Sequence, residues 1–231
     1  MDALDLVRDH TVYSCVTGSR AFGLADEDSD TDRRGVFLAP TPLFWGFEKP
    51  PTHLDGPRDE EFSWELERFC SLALDADPNV LEVLHSPLVE RITPVGEELR
   101  ELRGAFLSRR AHGSFVGYAD RQRRRLLAGV RADGVPRRKP AVHLLRLLAS
   151  GRDLLRTGRL TVDVGAERER LLAVKRGELS WEEIAAWADR LRAEADAALT
   201  RSPLPEHPDR ARVEELLIRA RRASALTPGT S

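Results

Sequence analysis

The chain has 231 residues, of which 41% are hydrophobic and 32% charged, and its formal net charge is −2. This length allows one large domain or two small ones with a buried core. The near-neutral charge excludes the class of proteins whose whole surface attracts polyanions. No apolar run is long enough to span a membrane, and the acidic N-terminus lacks the pattern of a signal peptide, so we expect a cytoplasmic protein. Cys15 and Cys70 have no second ligand at metal spacing, which predicts two reduced core thiols.

The first part of the chain alternates short apolar runs with turn residues. Leu4 to Arg8 predicts a lead-in helix, Val12 to Val16 a buried strand, and Ser19 to Leu24 a helical turn. A second strand is expected to continue through Gly35 to Leu38. Five prolines in residues 40–57 predict a long loop without a regular element, in which Trp45 and Phe47 form either a lid or part of the core.

A third strand is predicted from Glu60 to Trp64, followed by a helix from Glu65 to Leu74. Asp77 is predicted to be the N-cap of a short helix that extends to Leu84, with Pro78 at its first position.

From Glu97 onward the pattern becomes helical. Ser180 and Glu183 predict a capping box, Gly158 predicts a helix end, and Leu160 to Val164 is a short β-like stretch. The predicted helices cover residues 97–106, 108–130, 138–157, 180–199 and 211–220, with a loop at 131–136 and a frayed tail after Ala223. The helix over 108–130 is expected to be broken or loosened near Gly113 and Gly117. This change of pattern predicts two domains, 1–105 and 106–231.

One motif connects a glycine-serine turn to two aspartates. Gly18 and Ser19 follow the first predicted strand, and Asp30 and Asp32 lie at i and i+2 just before the second. Glycine allows backbone N–H groups to approach an anion closely. Two aspartates on a strand would face the same side, and such a pair suits Mg²⁺, which also keeps phosphates as ligands. The alternative is an acidic turn that only caps and solubilises.

Residues 18–37 resemble the DNA polymerase β-type nucleotidyltransferase superfamily, and within it the RNA-repair-associated (RlaP) family. Their sequence is G-S-R-A-F-G-L-A-D-E-D-S-D-T-D-R-R-G-V-F. Three further segments are similar to the same family: W-E-L-E-R-F at 64–69, D-P-N-V-L-E-V-L at 77–84 and K-P-A-V-H-L-L-R-L-L at 139–148. The resemblance therefore extends over most of the chain. It implies an α+β fold, in which a small mixed β-sheet core flanked by helices is joined to a C-terminal helical domain that closes over the nucleotide.

The resemblance also implies a two-metal site and a nucleoside triphosphate as substrate. Mg²⁺ is the expected ion, with Mn²⁺ as an alternative. Asp30 and Asp32 would hold the metals, with Glu60 as the third carboxylate, although the family more often has Asp there and Asp59 or Glu61 could substitute.

The phosphate-binding residues are expected in two groups. Gly18, Ser19, Arg20 and Arg33 surround the motif, and Arg34 stands beside them. In the helical half, the second group shares one helix face, whose alternative is an ordinary amphipathic flank: Lys139, His143 and Arg146.

The expected activity is transfer of NMP from an NTP, such as ATP, to a hydroxyl acceptor. The acceptor implied by the resemblance is an RNA end, with an RNA ligase as a further partner. The arginine-rich run 121–125 is expected either to bind the phosphates of RNA or to form a solvated helix face. A non-catalytic nucleotide- or RNA-binding protein and a protein-AMPylating transferase are the two alternatives.

Overall fold

The computed structural model describes residues 3–133 and 137–226, without the side chains of 3 and 128–133. These ranges form five strands and ten α-helices, which confirms the expected α+β class. The strands are β1 (Thr11–Val16), β2 (Arg33–Phe37), β3 (His53–Asp55), β4 (Glu61–Glu65) and β5 (Val89–Ile92). The helices are α1 (Ala3–His10), α2 (Gly18–Ala21), α3 (Leu66–Leu74), α4 (Pro78–His85), α5 (Pro94–Glu101), α6 (Arg110–Asp133), α7 (Arg138–Thr157), α8 (Arg168–Arg176), α9 (Trp181–Leu199) and α10 (Arg210–Leu226).

The sheet has the strand order β3-β4-β2-β1-β5. β2 and β4 are parallel, with Arg33 opposite Glu61, and the other neighbouring pairs are antiparallel. The α3–α4 segment packs on one face, where the Tyr13 hydroxyl donates to the Val83 carbonyl at 2.9 Å. Because β1 and β2 are antiparallel neighbours, the C-terminal end of β1 and the N-terminal end of β2 lie side by side, and the predicted motif connects them.

Several local predictions are confirmed. The Asp77 carboxylate accepts from the backbone N–H groups of Asn79 and Val80, with Pro78 in the first turn of α4. Ser180 forms a capping box with Glu183, and Gly158 ends α7 in the left-handed conformation at φ 72°. Cys15 and Cys70 are both buried and free, as predicted.

Other predictions are wrong. The proline-containing stretch 40–57 holds a 3-10 turn, Thr41–Phe44, and the short strand β3, because β3 pairs with β4. β5 was not predicted, and Leu160 to Val164 forms no strand. Trp45 and Phe47 are 70% and 106% exposed, so neither belongs to the core.

Helix ends also differ from their predictions. The segment predicted as one helix up to Phe106 divides into α5 and a 3-10 turn over Leu102–Phe106. α6 continues without a break through Gly113 and Gly117 as far as Asp133, so residues 131–133 are helical and not part of a loop as predicted. Residues 134–136 of the predicted loop lie outside the described ranges, as does the tail from 227. α10 extends to Leu226.

The last helix returns to the sheet. Arg221 of α10 places its Nη2 2.8 Å from Glu65 Oε1, and its guanidinium lies over the Phe44 ring at 4.0 Å. The Thr41 hydroxyl donates to the Arg221 carbonyl at 2.8 Å. The boundary between 1–105 and 106–231 stays a prediction, but this helix of the second range packs on the first.

Candidate functional site

The turn after β1 and the second aspartate of the motif are in contact. Gly18 has φ 67°, and a Cβ built on it would lie 2.1 Å from Asp32 Oδ2. The Thr17 N–H donates to the Asp32 carbonyl at 2.8 Å, which extends the pairing of β1 and β2 by one residue. Glycine is therefore required here, because a side chain would displace the Asp32 carboxylate.

Asp32 lies immediately before β2, as the sequence places it, so the geometry of two aspartates on one strand does not apply. Its side chain is 31% exposed, and Oδ1 is 3.7 Å from Arg34 Nη2. The Arg34 side chain also donates to the carbonyls of Arg33 and Glu60. The carboxylate is thus held at the N-terminal end of β2 and remains accessible to solvent.

A cavity of about 180 Å³ opens beside this carboxylate and is called the Asp32 cavity here. It lies where the α2 turn, the start of β2, the end of β4, one side of α4 and the first half of α7 meet. The lining residues are Thr17, Gly18, Phe22, Asp32, Arg34, Trp64, Asn79, Glu82, Val83, His143 and Arg146. Two motifs far apart in sequence, the Gly18 turn and the His143–Arg146 face of α7, therefore share one cavity.

Arg146 is the most deeply buried cation of the Asp32 cavity. Its side chain is 4% exposed and forms an ion pair with Glu82 of α4, whose side chain is 6% exposed. The guanidinium also stacks on the Phe22 ring at 3.7 Å. The three residues connect α7, α4 and the α2 turn, and they fix a guanidinium, paired with a carboxylate, at the wall of the cavity.

His143 completes this arrangement. Its Nδ1 is 3.2 Å from Arg146 Nη2 and must accept the hydrogen bond, because a guanidinium can only donate. Burial, together with the nearby Arg146 charge, lowers the pKa of His143 to about 4. The imidazole is therefore neutral near pH 7, and it orients Arg146 without adding charge.

Other predicted residues lie outside the lining of the Asp32 cavity. Ser19 is half-buried beside Gly18, and Asp30 is exposed two residues before Asp32. Arg20 is exposed and donates to the Ser29 carbonyl, and Lys139 is exposed at the start of α7. Arg33 pairs with Glu90 of β5 at 3.0 Å, so its charge is already offset.

The predicted third carboxylate is also outside the cavity. Glu60 has φ 57° just before β4, and its carbonyl accepts from the Arg33 N–H and from the Arg34 side chain, both at 2.9 Å. Glu61 pairs with Arg58 at 2.8 Å. Within residues 3–133 and 137–226, no three His, Cys, Asp or Glu side chains are grouped so that they could hold one metal ion. Metal binding by Asp30, Asp32 and Glu60 stays a prediction.

Sequence reasoning missed Glu82 as a site residue. Residues 80–84 of α4 are all buried, and Glu82 is the one charged residue among them. A buried carboxylate without a partner is costly, so a glutamate inside an apolar helix indicates a cation nearby. That signal was present in the sequence, but it does not identify the partner 64 residues away.

Some side chains of the arginine-rich run 121–125 on α6 form contacts within the protein. Arg123 pairs with Asp189 of α9, and the Arg121 guanidinium lies 4.9 Å from the Tyr118 ring centroid. Arg124 and Arg125 are exposed. Binding of RNA by this run stays a prediction.

No helix in the part of the chain that the structure describes is both long and apolar enough to cross a membrane.

Comparisons with known proteins bear on the family to which this chain belongs. A protein from Bacillus subtilis (strain 168), called uncharacterized protein YcgL, is 32% identical over 97 residues, which are 40% of this chain and 37% of that protein. The matched part is therefore little more than a third of that relative's length. No solved structure matches the chain. The model of the RlaP family, described as the RNA repair pathway DNA polymerase beta family, matches residues 5–219. Because that match covers most of the chain, including the Gly18 turn, Asp32 and Arg146, the protein belongs to the RlaP family of the polymerase β-type nucleotidyltransferases.

Proposed function

We propose that this protein is a Mg²⁺-dependent nucleotidyltransferase that moves NMP from an NTP to a hydroxyl acceptor, with an RNA end as the expected acceptor. The single observation that carries the proposal is the contact between Gly18 and Asp32 in a cavity that also contains Arg34 and Arg146. Membership of the RlaP family supports the nucleotidyltransferase class and the link to RNA repair.

The residues of the Asp32 cavity suit a triphosphate. The left-handed Gly18 lets backbone N–H groups of the turn come close to an anion. Arg146 offers guanidinium N–H donors that are already desolvated and oriented by Glu82 and His143, so little side-chain entropy is lost when they bind phosphate. Arg34 adds a second cation beside Asp32.

Asp32 and Asp30 are the proposed ligands of the divalent cation. Mg²⁺ is commonly held by one or two carboxylates together with substrate phosphates and water, so two aspartates fit this ion without a third acid. Asp32 is half-buried beside the turn that would bind the phosphates, and Asp30 is exposed nearby in the chain. When bound, the cation would offset the triphosphate charge and lower the pKa of an attacking hydroxyl.

His143 is not assigned as the general base. Its pKa of about 4 makes it a weak proton acceptor at neutral pH, although it lines the cavity. Its proposed role is to hold Arg146 against the triphosphate.

A transfer assay tests the proposal directly. The purified protein is incubated with each NTP, labelled at the α-phosphate, with Mg²⁺ or Mn²⁺, and with RNA or protein acceptors. Label on RNA is the expected result. Label on protein would identify an AMPylating enzyme instead, and binding of NTP without transfer would identify a non-catalytic nucleotide-binding protein.

Asp32→Asn, alone and with Asp30→Asn, removes the proposed metal ligands and preserves side-chain size. We expect turnover to fall by about 10³-fold or more, since the charge on the reacting phosphates would no longer be offset. Asp28→Asn, an exposed carboxylate in the same acidic turn, is the matched control and should retain turnover. Wild-type turnover by the double variant would show that this mechanism is wrong.

A further inference from the structure

The face of α7 that lines the Asp32 cavity continues beyond it. Ser150, Asp153 and Thr157 follow His143 and Arg146 at spacings of three or four residues, so all five lie on one side of the helix. A second cavity, of about 280 Å³, lies along this continuation, and Arg146 lines both cavities. Arg146 and Thr157 are separated by roughly 16 Å along the helix axis. The two cavities are therefore successive stretches of one helix face.

The second cavity is called the Thr161 cavity here, after a residue of the segment 158–168 that forms its other wall. This segment packs on the end of the α2 turn. The Val164 N–H donates to the Phe22 carbonyl at 3.1 Å, and Arg168 Nε donates to the Gly23 carbonyl at 2.8 Å. The proposed phosphate-binding turn and the wall of the second cavity are thus held together by direct hydrogen bonds.

The charges around the Thr161 cavity are balanced. Three arginines and three carboxylates line it: Arg146, Arg152, Arg159, Asp153, Asp163 and Glu167. Arg152 is already surrounded by acids, because it lies within 3.3 Å of carboxylate oxygens of Asp153, Glu167 and Glu194. A phosphate would find little uncompensated positive charge here, whereas an uncharged polar group would meet no net repulsion.

The other lining residues suit a base and a sugar. Val162 and Leu171 are buried apolar side chains, and the hydroxyls of Ser150 and Thr161 provide polar contacts. Small-molecule sites typically combine an apolar lining with a few polar groups in a volume of roughly 300–1,000 Å³. Neither cavity reaches this range by itself, whereas a ligand that extends along the α7 face would occupy both.

We propose that the Thr161 cavity binds the nucleoside of the NTP whose triphosphate occupies the Asp32 cavity. This inference rests on the proposed function and names the part of the chain that selects the base. The Asp32 cavity is lined by two arginines and two carboxylates, and the divalent cation proposed on Asp32 would add the positive charge that a triphosphate requires at that end. No such cation is proposed for the Thr161 cavity, where three arginines balance three carboxylates.

Equilibrium binding of each NTP and of inorganic triphosphate, all with Mg²⁺, tests the assignment. Ser150→Leu fills part of the Thr161 cavity, and Thr161→Val removes one hydroxyl at an exposed position where the fold tolerates change. We expect Ser150→Leu to weaken binding of NTPs about tenfold or more, and Thr161→Val to weaken binding of at least one NTP by about three- to tenfold. Affinity for inorganic triphosphate should stay within about twofold of wild type in both variants. Thr200→Val, at the exposed end of α9, is the control.

The outcomes separate this inference from the proposed function. If both variants bind NTPs like the wild type, the nucleoside assignment is wrong while the transferase proposal stands. If they bind NTPs normally but lose affinity for a single-stranded RNA acceptor, the cavity belongs to the acceptor and the assignment is again wrong. A parallel loss of affinity for NTPs and inorganic triphosphate would contradict a separate nucleoside site. Failure of the wild type to bind any NTP would overturn both proposals.

Discussion

Gly18 is the residue whose replacement most directly tests the contact between the turn and Asp32. A Cβ at this position would overlap Asp32 Oδ2, and the φ of 67° adds strain for any L side chain. We expect Gly18→Ala to lower the free energy of unfolding by about 1–2 kcal/mol. We also expect it to weaken NTP binding, because the carboxylate and the turn must separate. Urea unfolding and NTP binding by calorimetry measure the two effects.

Gly177→Ala is the matched control for Gly18→Ala. Gly177 also has a left-handed φ, 81°, at the end of α8, and its nearest neighbours are atoms at the flexible end of the Arg138 side chain. The control should lose stability through backbone strain and keep NTP affinity. Equal NTP affinities of the two variants would contradict the role given to the contact between Gly18 and Asp32.

The buried pair of Glu82 and Arg146 gives a second prediction for single residues. Removing one partner of a buried ion pair leaves the other charge uncompensated, at a cost of about 3–5 kcal/mol. Glu82→Gln should therefore lower stability, and it should also release Arg146 from the orientation in which we expect it to bind the triphosphate. The affinity for NTP and for inorganic triphosphate should fall together, as measured by calorimetry on the folded variant.

Glu65→Gln is the control for Glu82→Gln. Glu65 is also buried, with its side chain 4% exposed, and it pairs with Arg221, but neither residue lines the Asp32 cavity. This variant should lose stability without loss of NTP affinity. If both variants bind NTP equally well, the pair at Glu82 is structural only.

At the level of secondary-structure elements, the sequence predicts those features that depend on contacts between residues close together in the chain. The N-cap at Asp77, the capping box at Ser180 and the glycine end of α7 each depend on contacts within a few residues, and all three were predictable. β3 and β5 are short strands at the two edges of the sheet, and their conformation depends on partners that a local pattern does not contain.

The same limit applies to the candidate site. Gly18 and Asp32 could be predicted together because the motif is compact, and His143 and Arg146 were predicted from the resemblance. The ion pair that connects Arg146 to Glu82 joins residues 64 positions apart, so it required the fold. The pairing of Arg33 with Glu90 likewise depends on β5, which the sequence pattern did not reveal.

Two helices that meet near the site carry half-buried histidines, which predicts a pH dependence of stability. Burial lowers the pKa values of His85 on α4 and His143 on α7 to about 4, below the 6.5 expected in the unfolded chain. Between these values the unfolded state binds more protons, so the stabilisation is present above about pH 6.5 and is lost as the pH falls towards 4. Each histidine contributes a slope of at most about 1.4 kcal/mol per pH unit.

Urea unfolding between pH 4.5 and pH 7 measures this effect. His143→Gln should flatten the dependence of the unfolding free energy on pH, even if it also changes stability at pH 7. An unchanged slope for His143→Gln would mean that this imidazole takes up its proton as readily in the folded protein as in the unfolded chain.

For the whole molecule, the main hydrophobic cluster joins the sheet to the helical half. It includes Tyr13 and Val36 from the sheet, Phe115 from α6, and Leu147 from α7. α10 adds Val213, Leu216 and Ala220 to the same cluster. The nucleotide-binding cleft proposed here is therefore built on a core that the two halves of the chain share, so that movement of α7 relative to the sheet would disturb buried packing.

This shared core predicts that residues 1–105 do not fold stably alone. Without α6, α7 and α10, the fragment would expose the apolar surface that Phe115 and Leu147 cover, and it would leave Glu82 and Glu65 without their arginine partners. We expect the full chain to unfold in one cooperative transition by circular dichroism and tryptophan fluorescence, and the fragment to show none. A fragment with a cooperative transition and dispersed amide signals in NMR would show that the first half is an independent domain, and the ion pair of Arg146 with Glu82 would then cross a domain interface rather than lie within a common core.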